Sequence, residues 1–293
     1  MNVPGRWAAL FSIAPLLLSI ISLCVGTSFA KTLFPIAGAA GTTAMRIGLG
    51  ALLMLVVQRP WRWAMNREQR LAIAAYGIVL ACMNLSFYAA VARLPLGVAI
   101  AIEFIGPLSV ALLGSRRMLD IVWVSLAAVG VGVLAVPGSA GTVTLAGVAY
   151  ALLAALFWAL YIISGARAAR LVPQHRIVCL GLCTASVVAV PPGIAEAGRA
   201  LLDPTIMASG VAIAVLCSIL PYSLEIFALK RMTPATFGII VSLEPAVGAL
   251  AAFAVIGERL TGLQMIGIAA VIVAAAGGTM TSAKRQAPML PMA

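Results

Sequence analysis

Stretches of apolar residues, each long enough to cross a lipid bilayer as a helix, follow one another along nearly the whole chain. A helix needs about 20 such residues to span the hydrocarbon core. The composition of 63% hydrophobic and only 9% charged residues is typical of a helical membrane protein and unlike an ordinary soluble domain. We therefore predict an all-α membrane protein with ten transmembrane helices. The ten apolar runs are 7–30, 36–57, 71–91, 94–113, 119–136, 144–165, 176–195, 208–229, 234–256 and 262–281.

Lysine and arginine residues are divided unevenly between the connections. With ten spans, 14 of the 19 basic residues lie on the side of the N-terminus and 4 on the opposite side, while Arg46 lies inside the second run. Connections rich in Lys and Arg stay in the cytoplasm, so we expect both termini to be cytoplasmic. The net charge of +11 does not indicate nucleic-acid binding, because the basic residues occur in small groups between apolar runs.

Two parts of the chain, 71–113 and 208–250, resemble each other. A Phe-containing apolar segment precedes Pro95 in the first part and Pro234 in the second, and a glutamate with a proline follows in each. The repeat divides the chain into two halves of five runs, predicted as 1–138 and 139–285, with a C-terminal tail at 286–293. Because five is odd, the second half must enter the membrane from the opposite side. Inverted repeats are typical of secondary transporters, which bind substrate between the halves.

Two apolar runs contain a glutamate close to a proline: Glu103 with Pro107, and Glu244 with Pro245. A charge at the bilayer centre costs roughly 2.5–3.5 kcal/mol on insertion scales, so these carboxylates should face a helix bundle or a wet cavity. A low-dielectric medium disfavours the charged form, which makes proton exchange chemically reasonable. We predict that both glutamates bind a substrate ammonium or couple transport to an ion. The alternative is a neutral or paired buried acid that locks helices together.

Polar and aromatic residues inside other runs complete the predicted binding site. Asn84 and Tyr88 lie one helical turn apart, as do Trp158 and Tyr161, and Tyr222 lies inside the eighth run. The alternative for the tyrosines and the tryptophan is the aromatic belt at the membrane interface. The predicted substrate-binding set is Asn84, Tyr88, Glu103, Trp158, Tyr161, Tyr222 and Glu244.

Three prolines lie where they should bend a helix: Pro107, Pro221 and Pro245. Proline removes a backbone donor and clashes with the preceding turn, so these positions are predicted hinges. Arg46 has three open interpretations: it reaches the membrane interface, it pairs with a glutamate, or it binds a substrate carboxylate.

Residue patterns typical of enzymes and cofactor proteins are not found in the sequence. It contains no phosphate-binding loop, metal-ligand cluster or nucleophile–base arrangement, and its single histidine, His175, lies in a connection. Both aspartates, Asp120 and Asp203, lie at the margins of runs, which argues against an intramembrane aspartyl enzyme. The five cysteines are interpreted as small buried apolar residues. We therefore predict neither catalysis nor a metal or cofactor.

An ordered set of short motifs along the chain resembles the ten-span EamA-type branch of the drug/metabolite transporter superfamily. The resemblance implies ten transmembrane helices in two inverted five-helix repeats. The motifs are KTLFP (31–35), TAMR (43–46), PWR (60–62), MNLSFY (83–88), LPLGVA (94–99), EFIGP (103–107), SRR (115–117), WALYI (158–162), LPYSLE (220–225), LEPA (243–246) and GERLT (257–261).

The same resemblance implies a function. Such a protein would export amino acids, either small polar ones such as threonine and homoserine or aromatic ones, across the bacterial inner membrane. It would do so by alternating access around a cavity at the membrane midplane, with a proton as the candidate coupling ion. The alternatives left open are export of other small metabolites or drugs, and a non-transporting membrane scaffold.

Overall fold

The computed structural model describes residues 5–112, 118–134, 143–229, 237 and 240–286. Every regular element in these ranges is a helix. The principal helices are α1 (Gly5–Lys31), α2 (Phe34–Gln58), α3 (Arg67–Val91), α4 (Leu96–Glu103), α5 (Ile105–Leu112), α6 (Met118–Leu134), α7 (Leu145–Leu171), α8 (Gln174–Ala197), α9 (Pro204–Ala214), α10 (Leu220–Leu229), α11 (Glu244–Ile256) and α12 (Gly262–Gln286). Short 3-10 helices cover Pro60–Arg62 and Gly198–Leu202, and a π-helical turn covers Val215–Ile219.

Seven of the described helical segments are long and apolar enough to cross a membrane. They coincide with seven of the ten predicted runs. The other three runs, 94–113, 119–136 and 234–256, contain shorter apolar helices. The all-α prediction is therefore confirmed for the part of the chain that the structure describes, while the count of ten spans stays a prediction.

Local sequence signals explain where several helices begin. Asn66 and Gln69 form a capping box at the start of α3, in which each side chain accepts a hydrogen bond from the other residue's backbone N–H. Thr144 caps α7 by accepting from Gly147 N. Asp203 caps α9 and is followed by Pro204. Proline is favoured at the first helical position because a backbone N–H there would have no acceptor within the helix, so its absence costs no hydrogen bond.

Apolar side chains fill the contacts between the helices and also cover the outside of the bundle. The most extensive contacts join α2 to α8, α3 to α7 and α6 to α12, and α1 packs against both α10 and α11. Large apolar side chains also lie exposed on the outside of the bundle, a surface that a soluble monomer rarely presents and that lipid tails would cover. Examples are Leu52, Val56, Ile78, Val129, Leu156, Val187, Leu250, Phe253 and Met265.

Candidate functional site

The first predicted hinge lies where the fourth run is interrupted. Helix α4 ends at Glu103, Phe104 is in a turn, and α5 begins at Ile105. Pro107 has no N–H, so the carbonyl of Glu103, four residues earlier, lacks its normal helical donor. The interruption therefore places Glu103 at a helix end, and its side chain is buried, with 7% exposed.

The second predicted hinge, Pro221, lies two residues after the π-helical turn Val215–Ile219. Pro221 cannot donate to the carbonyl of Cys217, four residues before it. The Arg46 guanidinium uses that carbonyl instead: Nη2 donates to Cys217 O at 2.7 Å, and Nε donates to Ser218 Oγ at 3.3 Å. A buried arginine in α2 is thus bound to a backbone group that a proline in the eighth run leaves free.

The third predicted hinge, Pro245, is the second residue of α11. A turn at residues 242–243 precedes this helix, which begins at Glu244. The positive end of the helix dipole lies at this N-terminus and favours a carboxylate there. Glu244 is buried, with 9% exposed, and its carbonyl oxygen lies 3.8 Å from Cys24 Sγ in α1.

The two helices that carry the glutamates pack against each other. A Cβ at Gly97 of α4 would lie 2.7 Å from Ala249 Cβ of α11, and a Cβ at Gly248 would collide with the Ile100 side chain. Small residues let membrane helices approach this closely. The crossing brings Glu103 and Glu244 into one region, where the charge of Glu103 interacts with those of Glu244 and Arg46. The charge of Glu244 also interacts with that of Glu225 in α10.

Tyr88 of α3 adds a hydroxyl to the same region. The Arg46 guanidinium lies 5.6 Å from the centre of the Tyr88 ring, and Phe34 packs on that ring at 5.6 Å between centroids. The Tyr88 hydroxyl lies beside Arg46 and Cys217. It is fully buried and makes no hydrogen bond of regular geometry with the residues that the structure describes. We call Arg46, Tyr88, Glu103, Cys217 and Glu244 the central cluster.

Other predicted site residues lie apart from these contacts. Asn84 is buried and donates from Nδ2 to Leu80 O of its own helix at 2.8 Å. The Tyr161 hydroxyl accepts from Tyr76 at 3.0 Å. Trp158 packs edge-on against Phe104, the residue at the α4–α5 turn, with 5.4 Å between ring centroids. The side chain of Tyr222 lies outside the described part of the structure.

The structure thus places Tyr88, Glu103 and Glu244 around Arg46, and it adds Arg46 and Cys217, which the predicted binding set omitted. Arg46 could have been found from the sequence, as the only basic residue inside a run. The Cys217 carbonyl could have been found from its spacing of four residues before Pro221.

Among the described residues, no three His, Cys, Asp or Glu side chains lie close enough to hold a metal ion.

A second polar group joins helix ends at one end of the bundle. Lys31, the last residue of α1, forms an ion pair with Glu258 and also donates to Leu94 O at 2.8 Å. Glu258 accepts from Leu96 N, at the start of α4, at 2.9 Å. The contact is partly exposed, at 20% for the Lys31 side chain and 22% for that of Glu258. We call these contacts the Lys31–Glu258 latch, because they tie the ends of α1, α4 and α11 together.

Many apolar spans, helices broken at prolines and buried charges between them define the class of protein: a polytopic membrane transporter. Residues 145–279 match the EamA-like transporter family. The chain is 44% identical to the threonine/homoserine exporter RhtA of Salmonella typhimurium (strain LT2) over 269 residues, 91% of this chain and 90% of that protein. It is 43% identical to RhtA of Escherichia coli (strain K12) over 272 residues, 92% and 91% of the two chains. The chain belongs to the EamA-like transporter family.

A solved structure provides a separate comparison of the fold. A crystal structure with 20% sequence identity aligns with a TM-score of 0.55 and covers 97% of this chain and 100% of the other. At that identity the likeness concerns the fold alone. The family predicted from the motifs, and with it the transporter class, is confirmed by the sequence relatives.

Proposed function

We propose that this protein exports amino acids, with threonine and homoserine as the first candidates, through a passage between two oppositely inserted five-helix halves. The relatives at 43–44% identity are named as exporters of these amino acids. The observation that carries the proposal is the central cluster, where two carboxylates and one guanidinium from different helices are buried together. Such groups are rare in membrane helices and mark substrate or ion pathways.

The helix contacts support the inverted repeat of residues 1–138 and 139–285. If run n corresponds to run n+5, α7 corresponds to α1, α10 to the end of α3, and α11 to α4 and α5. Under that correspondence, packing of α3 on α7 matches packing of α10 on α1. Packing of α4 and α5 on α7 likewise matches that of α11 on α1. The pairs α2–α8, α6–α12 and α4–α11 each join a run to its own counterpart, which is the packing expected for runs that lie beside a two-fold axis between the halves.

The chemistry of the central cluster fits a zwitterionic amino acid. Arg46 is the group for the substrate carboxylate, because a guanidinium offers several donors in a planar fork. Glu103 and Glu244 are the groups for the substrate ammonium. Glu225 of α10, which accepts from Ser19 Oγ at 3.0 Å, is a third carboxylate that interacts with Glu244. Three carboxylates against one guanidinium leave an excess negative charge when all are ionised, and ammonium groups or protons would neutralise it. The Tyr88 hydroxyl is available to a polar side chain such as that of threonine.

Alternating access requires that each end of the passage can close. The Lys31–Glu258 latch holds α1, α4 and α11 together at one end, and we assign it to the outer side, opposite two cytoplasmic termini. Opening would break the latch, whereas the central cluster stays between the moving halves. Glu103 and Glu244 are the candidate proton-exchange groups. The protein would lie in the bacterial inner membrane, with the lipid bilayer and the amino acid as its partners.

The test is efflux from proteoliposomes loaded with single amino acids, measured with and without a pH gradient. We expect threonine or homoserine efflux in the native protein and at least a tenfold loss in Glu103→Gln, with normal flux in the matched control Glu68→Gln at an exposed position of α3. Acceleration by a pH gradient would identify proton coupling. Equal flux in Glu103→Gln and Glu68→Gln would overturn the role of Glu103. An inactive native protein against a broad amino-acid panel would favour another metabolite or a scaffold.

A further inference from the structure

A groove between α3 and α8 lies away from the central cluster and has a volume of about 480 Å³. Its walls are mainly aliphatic, with Ile73 and Ile78 from α3 and Leu180 and Val187 from α8. Ile78 and Val187 are 46% and 74% exposed, so the groove opens on the outside of the bundle. Since both helices are candidate spans, that outside surface faces lipid tails.

One end of the groove carries a positive charge. Arg70, in the first turn of α3, lines the groove and is exposed, and among the described residues it is the only charged one in the lining. Arg70 and Ile78 are eight residues apart, so the lined length is about 12 Å at 1.5 Å per helical residue. The groove therefore runs from an arginine at the helix ends into the apolar part of the bundle.

Two connections pack together at this basic end. Gln69 Nε2 donates to Leu171 O at 3.0 Å, and the Arg176 guanidinium lies 4.9 Å from the centre of a Trp63 ring. Segments 59–70 and 167–176 contain seven arginines and one acid, Glu68. Tryptophan next to arginine at a helix end is typical of the membrane–water interface, where the lipid headgroups lie.

We propose that the groove is a binding site for an anionic phospholipid. The headgroup phosphate lies at Arg70, within the field of the neighbouring arginines, and one acyl chain lies in the aliphatic groove. The groove is aliphatic over about 12 Å and ends at a cation, so its shape and charge complement a molecule in which a negative phosphate is joined to a hydrocarbon chain. A zwitterionic phospholipid would fit the groove, but its neutral headgroup would be attracted less strongly by Arg70 and the neighbouring arginines. This inference rests on membrane insertion and not on the proposed transport activity.

The test uses the purified, delipidated full-length protein, with bound lipid counted by native mass spectrometry against phosphatidylglycerol and phosphatidylcholine. We expect the native protein to prefer phosphatidylglycerol. Arg70→Gln should lower that preference about fivefold, the effect of one basic side chain at a lipid surface. The matched control is Arg199→Gln, which removes an exposed arginine near the far end of α8 and should keep the preference.

Two further measurements separate the lipid from other anions and from misfolding. Val187→Trp, at an exposed position of the groove, should reduce retention of both lipids at least threefold while the phosphatidylglycerol preference of the remaining bound lipid persists. Because the preference is a ratio within one sample, it does not depend on the folded fraction. Equal binding of the two lipids by the native protein, equal effects of Arg70→Gln and Arg199→Gln, or full competition by inorganic phosphate would overturn the proposal.

Discussion

A buried arginine whose partner is a backbone carbonyl is the central feature at the scale of single residues. Arg46 is 6% exposed and lies near the middle of α2, so reaching the membrane interface, one of the three interpretations from sequence, does not describe it. The sequence identified Arg46 as unusual because a charge inside an apolar run is costly. The spacing from Pro221 predicts that the Cys217 carbonyl is left without a helical donor, but it does not predict that Arg46 binds it, because the two residues are 171 positions apart and meet only through tertiary packing.

Tyr88 provides a prediction that separates a structural role from a functional one. Its hydroxyl is buried without a regular hydrogen bond among the described residues, and an unsatisfied buried hydroxyl costs about 1–3 kcal/mol. Tyr88→Phe should therefore leave the thermal midpoint of unfolding unchanged or raise it, while the KM for threonine efflux rises. A lower midpoint with an unchanged KM would show that the hydroxyl serves packing alone.

At the scale of elements, proline placement determines the breaks, and these were largely predictable. The hinge positions Pro107 and Pro245 lie within three residues of the observed interruptions at Phe104 and residues 242–243. The form of each break was not predictable: the eighth run accommodates Pro221 with a π-helical turn, whereas α8 continues through Pro191 and Pro192. Packing around each proline decides between these outcomes, and a single run of sequence does not contain that information.

Pro221→Ala tests whether the π-helical turn serves Arg46. Alanine supplies an N–H that can bind the Cys217 carbonyl, so the helix should become regular and Arg46 should lose that partner. We expect this segment to open less often, which would appear as slower backbone hydrogen exchange around residues 217–221. We also expect reduced efflux. Pro204→Ala is the control, because a proline at the first turn of a helix leaves no carbonyl without a donor. Unchanged efflux in Pro221→Ala would contradict the assigned role of the turn.

The Lys31–Glu258 latch leads to a prediction about access. Lys31→Gln or Glu258→Gln should speed the reaction of a membrane-impermeant thiol reagent with the buried Cys217, applied from the outer side, because the ends of α1, α4 and α11 separate more often. Residues in direct contact are not independent, so the double variant should label no faster than either single one. Arg93→Gln, at an exposed cation beside the latch, is the control. Additive effects of the two single variants would argue against a latch.

At the scale of the whole molecule, sequence reasoning succeeded where the bilayer restricts the alternatives. Apolar run length and charge placement predicted an all-helical membrane protein, because backbone groups in lipid must be satisfied within helices or closed barrels. The site was only partly predictable: Tyr88, Glu103 and Glu244 lie around Arg46, while Asn84 and Tyr161 bind their own protein partners. A helix face can be assigned from spacing, but which faces meet depends on how α4 crosses α11 and α1 crosses α10.

The central claim is that Glu103 and Glu244 line a passage that both water and substrate reach. The most direct measurement is modification of transport-competent protein in proteoliposomes by a water-soluble carbodiimide, with the modified sites quantified by mass spectrometry. Our account predicts that both carboxyl groups react and that saturating threonine slows their reaction severalfold, while the exposed Glu68 reacts at the same rate with or without threonine. The account would be contradicted if Glu103 and Glu244 stayed unmodified in protein that transports, or if they reacted at rates that threonine does not change.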